Sequence, residues 1–334
     1  MILRYLLIGK LTRDYIIPLN RKAYSDIPGG SLPYTAGGMA LWDHGGGLVG
    51  KVGEDYPTEW LDNLSAQGFD SDGVSYAADL PDARRFFVYE NLESVSHENP
   101  LTQYSEIGAN LPKSLLGFTP PLAELDSKTR LTAESISPKD IPFSFLDVTF
   151  AHICPLDYLS HLTLPTYLRQ KRATTITLRP SEGYFQPLFW EEIPAVVKDL
   201  TAFHCDEQAL QNLFHGKTSD LWEMAETIAG FGVENVVIYR RSRGQYLYNQ
   251  ASRQKWSIPP YPARIIDPTG EIDAFCGGFL AGFRATYDPI EATVYGNISA
   301  SITVEGVGPL YLLDTLPGLA QARFQTVRNG VRQV

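Results

Sequence analysis

Short apolar segments alternate along the chain with segments of helical character, and this alternation constrains the fold more than any other feature. Six apolar runs have the length of buried strands: residues 5–8, 47–49, 148–153, 174–178, 199–203 and 236–239. The helical candidates are residues 58–67, a run after Thr163, and residues 207–214, 219–231 and 274–286. Strands that alternate with helices favour a mostly parallel sheet covered by helices. The sequence therefore predicts a doubly wound α/β core.

Two segments, 16–35 and 84–106, do not follow this alternation. The first is rich in Pro, Gly and Tyr, and in the second aromatic and β-branched residues alternate with polar ones. We expect them to pair as an accessory β-sheet beside the main sheet. Residues 108–144, rich in Pro, Ser and Leu, are expected to be irregular. Open α/β folds often reach 334 residues as one domain, so we expect a single domain over 1–334 with both segments inserted in it.

The composition excludes several classes of partner. With 28 basic and 38 acidic side chains the net charge is −10, which repels nucleic acid and anionic lipid. No stretch approaches the roughly 20 apolar residues of a membrane span, and the opening residues are typical of a strand rather than a signal peptide. We therefore expect a cytoplasmic protein with a small-molecule ligand.

Cysteine and histidine residues show no pattern that indicates a site. The three cysteines are widely spaced, so neither a disulfide framework nor a zinc ligand set is predicted, and a reducing compartment fits: Cys154, Cys205 and Cys276. Five histidines likewise lack metal-ligand spacing: His97, His152, His161, His204 and His215. We predict structural or surface roles for them.

The segment 267–283, DPTGEIDAFCGGFLAGF, carries the strongest chemical signal. Its turn opens a helix of small residues, and the free backbone N–H groups of a helix N-terminus attract anions. Gly270 to Asp273 could therefore hold a transferring phosphate, beside which the Asp273 carboxylate could accept a proton from an attacking hydroxyl. The alternative is that Asp273 only caps its helix and the glycines only serve packing.

This segment resembles the C-terminal signature of ribokinase-like (PfkB-type) sugar kinases, normally written D-T-x-G-A-G-D-x-F. The residues that match it are Asp267, Thr269, Gly270, Asp273, Ala274 and Phe275. The resemblance continues at residues 48–55 and 68–74, and at the N-terminus in Gly9, Asp14, Gly29 and Gly30. A dinucleotide-dependent oxidoreductase would need G-x-G-x-x-G after the first strand, where GKLTRD stands.

The resemblance implies a ribokinase-like three-layer α/β/α sandwich with a small β-sheet lid. It implies transfer of the ATP γ-phosphate, with Mg²⁺ as cofactor, to a hydroxyl of a sugar, nucleoside or related polyol, and it leaves open a monovalent cation near Asp267. Asp273 would be the base, with Gly270 beside it. The implied substrate-binding residues are Asp14, Gly29, Gly30, Tyr34 and Arg85. The implied nucleotide-binding residues are Asp267, Thr269, Glu271, Ile272, Gly244 and Asn297.

Some of these residues also have simpler interpretations. Asp14 and the Gly29-Gly30 pair could be turn residues, Arg85 could lie on a solvated strand edge, and Asn297 could be a surface or capping residue. An exposed lid strand could also pair with its twin in a second chain, so we expect a homodimer through the lid.

The sequence departs from the family on the nucleotide side. The anion hole reads Gly270-Glu271-Ile272-Asp273 instead of Gly-Ala-Gly-Asp, and Ile tolerates positive φ poorly. Unless it points into solvent, Glu271 would also repel phosphates, at a cost of about 3 kcal/mol at about 5 Å and a dielectric constant of about 20. At the sugar end, Tyr34 stands where ribokinases commonly have Asn.

Two further departures concern the metal and the phosphates. The N-x-x-E motif that organises Mg²⁺ aligns on Cys205 and Gln208, which leaves Asp206 and Glu207 as candidates that act through water. We interpret Arg240, Arg241 and Arg243 as a solvated turn, with phosphate contacts as the alternative. Two hypotheses therefore stay open: an active kinase, and a kinase-fold protein that binds a small molecule without efficient phosphoryl transfer.

Overall fold

A computed structural model of the chain describes residues 3–92, 94–121, 125–316 and 318–334. Its strands are β1 (Tyr5–Ile8), β2 (Thr12–Ile17), β3 (Tyr24–Gly29), β4 (Gly46–Val52), β5 (Asp70–Tyr76), β6 (Arg84–Tyr89), β7 (Val95–Ser96), β8 (Phe150–Ile153), β9 (Thr175–Leu178), β10 (Ala202–Asp206), β11 (Asn235–Tyr239), β12 (Gln245–Asn249), β13 (Gln254–Ile258) and β14 (Arg332–Gln333).

The α-helices in the same ranges are α1 (Ser31–Ala40), α2 (Thr58–Ala66), α3 (Pro100–Glu106), α4 (Tyr158–Lys171), α5 (Ile193–Val197), α6 (Glu207–Leu213), α7 (Leu221–Gly230), α8 (Glu271–Thr286), α9 (Pro289–Thr303), α10 (Leu310–Leu313) and α11 (Leu319–Arg328). Residues 108–144 contain only short 3₁₀ turns where they are described, as expected for an irregular segment.

The main sheet has ten strands in the order β14-β13-β12-β11-β10-β9-β8-β1-β4-β5. The run from β11 to β5 is parallel, whereas β12, β13 and β14 extend the sheet in antiparallel pairs. From β1 the chain proceeds to β4 on one side, and it later resumes at β8 on the other side. In open α/β sheets ligands bind at the carboxyl ends of the strands beside such a reversal. The topology therefore points to the β1 and β8 ends.

Apolar layers lie on both faces of the main sheet, as the continuous apolar runs predict. Every residue of β1 and β8 is buried, and so is all of β11. One layer contains α1, α8 and α9, and the other contains α4 and α7. The predicted three-layer α/β/α arrangement is therefore confirmed.

A second sheet of four strands, in the order β3-β2-β6-β7, lies beside the main sheet. We call it the lid sheet. One side of it packs on α3 and the segment that follows, through the buried side chains of Tyr15, Phe86, Tyr104 and Leu115. Asp14 and Arg85, which alternate with these residues along β2 and β6, line the large cleft described below. The lid sheet therefore covers the cleft with its polar side.

The segments predicted for the lid differ from the observed ones at their ends. Residues 31–35 of the first segment open α1, because Gly30 adopts a φ of 88° that ends the strand. The lid strands begin earlier than residue 16, with β2 at Thr12. In the second segment residues 100–106 form α3, which starts at a proline in its first turn, and residue 93 lies outside the described residues.

Three predicted boundaries move for local reasons. β10 covers Ala202–Asp206 instead of 199–203, because Asp199 adopts a left-handed turn conformation with φ 61°. α4 begins at Tyr158, before Thr163, because the Asp157 side chain accepts the N–H groups of residues 159 and 160. α8 begins at Glu271 rather than at residue 274. Its first turn therefore includes Asp273.

No helix within the described ranges is long and apolar enough to cross a membrane.

Small residues bring α1 and α8 into close contact. A Cβ atom added at Gly38 would lie 2.1 Å from the Ala274 carbonyl oxygen, and one added at Gly277 would lie 1.9 Å from the Thr35 carbonyl oxygen. Real Cβ atoms do not approach backbone oxygen so closely, so any larger residue would push the two helices apart. This contact sets the position of the helix that carries Asp273.

We expect Gly38→Ala to lower the free energy of unfolding by about 1–3 kcal/mol, because the new methyl group meets rigid backbone. Gly230→Ala is the matched control: it also lies in a helix, has a negative φ, and has open space around its Cα. Alanine there should be neutral or slightly stabilising. Urea unfolding of both variants checks this, and equal stability of the two would contradict the close packing of α1 on α8.

Candidate active site

A cleft of about 510 Å³ lies at the carboxyl ends of the parallel strands, beneath the lid sheet. Residues that directly or closely follow three neighbouring strands line it: Lys10 after β1, Pro155 after β8 and Arg179 after β9. The first turn of α8 and the polar side of the lid sheet complete the lining. The cleft thus lies where the topology predicts a ligand site.

The N-terminus of α8 enters this cleft through a left-handed residue. Gly270 has φ 72° and ψ 4°, and a Cβ atom there would lie 2.2 Å from the Tyr34 ring. Only glycine satisfies both conditions. Ile272 lies within the helix and has no positive φ, so the expected strain at this position does not occur. The Glu271 N–H donates to the Pro268 carbonyl oxygen at 3.3 Å, so the N–H groups of Ile272 and Asp273 are the ones in the first turn that can bind an anion.

Asp273 forms a close ion pair with Arg179. Asp273 Oδ1 lies 2.6 Å from Arg179 Nη1, and both side chains are largely buried, with 12% and 20% of their surface exposed. The pair fixes the direction of the carboxylate at the floor of the cleft. It also places a guanidinium group next to the helix N-terminus, so two sources of positive charge adjoin the same carboxylate.

Glu271 does not point into solvent, since only 8% of the residue is exposed. The Tyr239 hydroxyl donates to its carboxylate at 3.3 Å, and Arg241 Nη1 lies 3.6 Å from the other oxygen. Burial raises the pKa of Glu271 to about 7, and the Arg241 charge opposes this rise. Near neutral pH Glu271 is therefore partly protonated, and Arg241 partly compensates the negative charge that remains.

Arg241 lies in an exposed turn, as the sequence interpretation expected, with 50% of its side chain exposed, but its guanidinium also reaches the cleft. Its side chain lines the cleft, contacts Glu271 and donates to the Leu92 carbonyl oxygen at 3.3 Å. Arg240 and Arg243 instead pair with Glu207 at 3.5 and 2.6 Å. Arg241 thus has a different partner from Arg240 and Arg243, which their nearby positions in the sequence do not indicate.

Asp14 is buried on β2, with 1% of its surface exposed, and it lines the cleft. Its Oδ1 accepts a hydrogen bond from Thr12 Oγ1 at 2.6 Å. Burial raises the pKa of Asp14 to about 7, whereas the Thr12 hydroxyl, Arg85 and the Gly30 N–H oppose the rise. A Cβ atom at Gly29 would lie 2.0 Å from this carboxyl group, so that glycine makes room for Asp14.

Several residues predicted for the sugar side meet at this end of the cleft. Gly30, Tyr34 and Arg85 line it together with Asp14, whereas Gly29 lies behind the Asp14 carboxyl group. The Arg85 guanidinium also donates to the carbonyl oxygens of Asp82 and Arg84, which holds it close to the start of β6.

Asp267 and Thr269 form a small hydrogen-bonded turn before α8. The Thr269 N–H and hydroxyl donate to Asp267 Oδ1 at 3.0 and 2.7 Å, and the same hydroxyl is hydrogen-bonded to Tyr89 of the lid sheet at 3.0 Å. Asp267 Oδ2 is buried and finds no partner among the described residues. Burial raises the pKa of Asp267 to about 6.

Five predicted nucleotide or metal residues lie outside the described cleft lining: Asp267, whose turn is described above, and Asn297, Gly244, Asp206 and Glu207. The Asn297 amide donates to Gln245 Oε1 and the Pro259 carbonyl oxygen, so it holds α9 against β12. Gly244, with φ 78°, closes the turn before β12. Asp206 caps α6 by accepting the Ala209 N–H, and Glu207 pairs with the arginines named above.

The sequence interpretation missed three charged residues of the cleft: Lys10, Arg179 and Glu182. Two of them follow predicted strands closely, at residues 5–8 and 174–178. The rule that ligands bind at the carboxyl ends of parallel strands could have found these two.

The cleft carries equal numbers of basic and acidic side chains. The four basic residues are Lys10, Arg85, Arg179 and Arg241, and the four acidic residues are Asp14, Glu182, Glu271 and Asp273. The cleft can therefore hold an anion and hydroxyl groups at once.

Residues 166–316, which include α8, match the pfkB family of carbohydrate kinases. Among characterised relatives, a cytidine kinase of Thermococcus kodakarensis is 28% identical over 285 residues, which is 83% of this chain and 87% of the relative.

Solved structures show the same fold. A provisionally assigned ribokinase II of E. coli, solved with ATP and Mg²⁺, superimposes with a TM-score of 0.68 at 17% identity, over 97% of this chain and 99% of the other. An aminoimidazole riboside kinase of Salmonella enterica, solved with aminoimidazole riboside and an ATP analogue, gives 0.69 at 16% identity, over 96% and 99%. The chain thus has a ribokinase-like fold, and its residues 166–316 match the pfkB family of carbohydrate kinases.

Proposed function

We propose that the protein transfers the γ-phosphoryl group of ATP to a hydroxyl of a sugar, nucleoside or related polyol. The observation that carries this proposal is the position of Asp273, in the first turn of α8 and at the floor of the cleft. A helix N-terminus, a carboxylate and a guanidinium group converge there, and phosphoryl transfer needs little else beyond positioning and charge.

In the proposed reaction the substrate hydroxyl oxygen forms a bond to the γ-phosphorus, and the bond from that phosphorus to the ADP oxygen breaks. Asp273 accepts the proton of the hydroxyl. The free N–H groups after Gly270 bind the transferring oxygens, and Arg179, 2.6 Å from the base, offers a second positive charge to them. Arg179 thereby offsets part of the repulsion that Glu271 adds.

The sugar end of the cleft supports a substrate that carries several hydroxyl groups. Asp14 is buried beneath the lid sheet and can accept or donate hydrogen bonds near neutral pH, since its pKa is about 7. The rings of Tyr34, Phe87 and Tyr89 also line the cleft and can contact the apolar face of a sugar or a base. Because one relative is a cytidine kinase, nucleosides are the first substrates to test.

The proposed cofactors are ATP and Mg²⁺, as in the solved ribokinase II structure with the same fold. The residues fit the phosphates, because the N-terminus of α8 and the guanidinium groups of Arg179 and Arg241, which contact its first turn, lie at one end of the cleft. Mg²⁺, when bound, would neutralise phosphate charge, and Asp206 and Glu207 could hold it only through water, since Asp206 caps α6 and Glu207 pairs with two arginines. A monovalent cation would fit the unpartnered Oδ2 of Asp267.

A second candidate function is binding of a small molecule without efficient transfer. Two observations favour it: the buried carboxyl group of Glu271 stands beside the anion position, and Arg179 already engages the base. Substrate-dependent release of ADP separates the two functions, since a binding protein would hold the ligand and release none. A homodimer through the lid remains a prediction for either function.

We expect Asp273→Asn to reduce kcat by roughly a hundredfold to ten-thousandfold, because the amide cannot accept the proton. Asp43→Asn is the matched control, because Asp43 is also ion-paired, with Arg284 at 2.7 Å, but lies outside the described cleft lining. ADP release across a panel of nucleosides and sugars, with circular dichroism to verify folding, measures both. Unchanged turnover in Asp273→Asn would contradict its role as the base.

We also expect the affinity for Mg²⁺-ATP to fall as the pH rises through about 7. Glu271 is neutral below its pKa of about 7 and negative above it, so it repels the phosphates only at higher pH. Calorimetry at pH 6 and pH 8 should show a decrease of roughly tenfold in the wild type. Glu271→Gln has no ionisable group at this position, so any pH dependence that it keeps comes from the nucleotide or from other residues and can be subtracted. The same pH dependence in both proteins would mean that Glu271 does not face the phosphates.

A further inference from the structure

Three side chains of metal-binding type meet in the interior, between the main sheet and α8. They are His152 on β8, His204 on β10 and Cys276 on α8, and one ligand atom from each lies within 4.8 Å of the others. All three residues are buried, with at most 1% of their surface exposed. Since β9 separates β8 from β10, the two imidazoles lie on one face of the sheet on either side of that strand.

The hydrogen bonds of His152 leave one ring nitrogen free. Its Nδ1 lies 2.8 Å from the Thr177 hydroxyl, which in turn donates to the Ala151 carbonyl oxygen at 3.5 Å. Either atom of the 2.8 Å contact can be the donor, and in the tautomer that can ligate a metal through Nε2, Nδ1 carries the proton and donates it to Thr177. Nε2 then has a lone pair and no hydrogen-bonding partner within the described part of the chain. A ligating imidazole has this tautomer and this kind of support.

His204 lacks partners altogether, because neither of its ring nitrogens has one among residues 3–92, 94–121, 125–316 and 318–334. Its ring instead packs against Phe275 and Phe279, with centroids 5.7 and 4.6 Å away. A buried polar atom without a partner costs free energy, and such atoms are rare in folded proteins. Three unpartnered nitrogens in one cluster therefore require an explanation.

Protonation of the imidazoles does not supply the missing partner. Burial lowers the pKa of His204 to about 3 and that of His152 well below its ordinary value, and the nearby Arg179 charge adds to both shifts. Both rings are therefore neutral at pH 7, the form in which imidazole binds metals. Burial also raises the pKa of the Cys276 thiol, so without a metal it keeps its proton.

We propose that His152, His204 and Cys276 form a buried binding site for a soft d¹⁰ cation, Zn²⁺ or Cu⁺. Imidazole and thiolate are the ligands that these ions prefer. Bonds of about 2.0–2.3 Å to one ion place ligand atoms roughly 3.3–3.8 Å apart, which small side-chain movements can reach from the observed separation. On binding, the Cys276 sulfur forms a bond to the ion and its proton is released to solvent.

The charges around the cluster are compatible with a cation. The Arg179 guanidinium is near both imidazoles and the thiol, but its ion pair with Asp273 compensates part of its charge. The Cys276 thiolate then contributes one negative charge, so Cu⁺ leaves the group neutral and Zn²⁺ leaves it with one positive charge. Such an ion would connect α8 to β8 and β10, one helical turn from Asp273.

Metal analysis of the full chain tests this proposal. The protein is expressed in medium supplemented with Zn²⁺ or, separately, with copper, its affinity tag is removed, and its metal content is measured by mass spectrometry. We expect about one equivalent of one of the two ions in the wild type, and its loss in Cys276→Ser. Cys205→Ser is the matched control, because Cys205 is also buried and is adjacent to His204 but lies outside the cluster. It should keep the ion.

Two outcomes would overturn the proposal. One is wild-type protein without bound metal after both expressions and after refolding with Zn²⁺ or Cu⁺. The other is metal that Cys276→Ser retains, which would place it elsewhere on the chain. If Cys276→Ser does not fold, X-ray absorption of the metal in the wild type decides. One sulfur and two imidazole nitrogens support the site, and a shell of only nitrogen and oxygen contradicts it.

Discussion

The left-handed turn at Gly270 determines where the functional groups of this protein lie. Because its φ of 72° ends the preceding segment at once, α8 begins at the carboxyl edge of the main sheet, with Asp273 in its first turn. The Tyr34 ring packs directly on Gly270, and the close contact of α1 with α8 fixes the direction of the helix. A side chain at position 270 would strain the turn and displace Tyr34, and with them the base and the anion position.

Charge compensation is the second constraint on the cleft. Both acidic residues in the first turn of α8 have a cation in contact: Glu271 pairs with Arg241, and Asp273 pairs with Arg179. Isolated buried charges are costly, whereas paired ones can persist and reorganise when a ligand arrives. The charge of the altered anion hole therefore depends on residues outside α8. The protonation of Glu271, in particular, depends on its contacts with Tyr239 and Arg241.

Local patterns account for most of what the sequence predicts correctly. Apolar runs and capping residues depend on near neighbours, so six strands of the parallel core were predictable, and so were α2, α4, α6, α7 and α8, the helix that carries Asp273. The α1 helix was missed because the φ of Gly30 is not visible in composition. The ion pair of Arg179 with Asp273 spans 94 positions, and the cluster of His152, His204 and Cys276 joins three separate elements. Such contacts arise only from tertiary folding.

Arg241 contacts two parts of the cleft that are far apart in the sequence. Its guanidinium contacts the carboxylate at the start of α8, and it also donates to the Leu92 carbonyl oxygen, in the loop between β6 and β7 of the lid sheet. A ligand that attracts this side chain to its own phosphates therefore weakens the hold on that loop. Because coupling free energies are reciprocal, displacement of the loop must change the affinity for the ligand by the same factor. One arginine thus makes the two events thermodynamically interdependent.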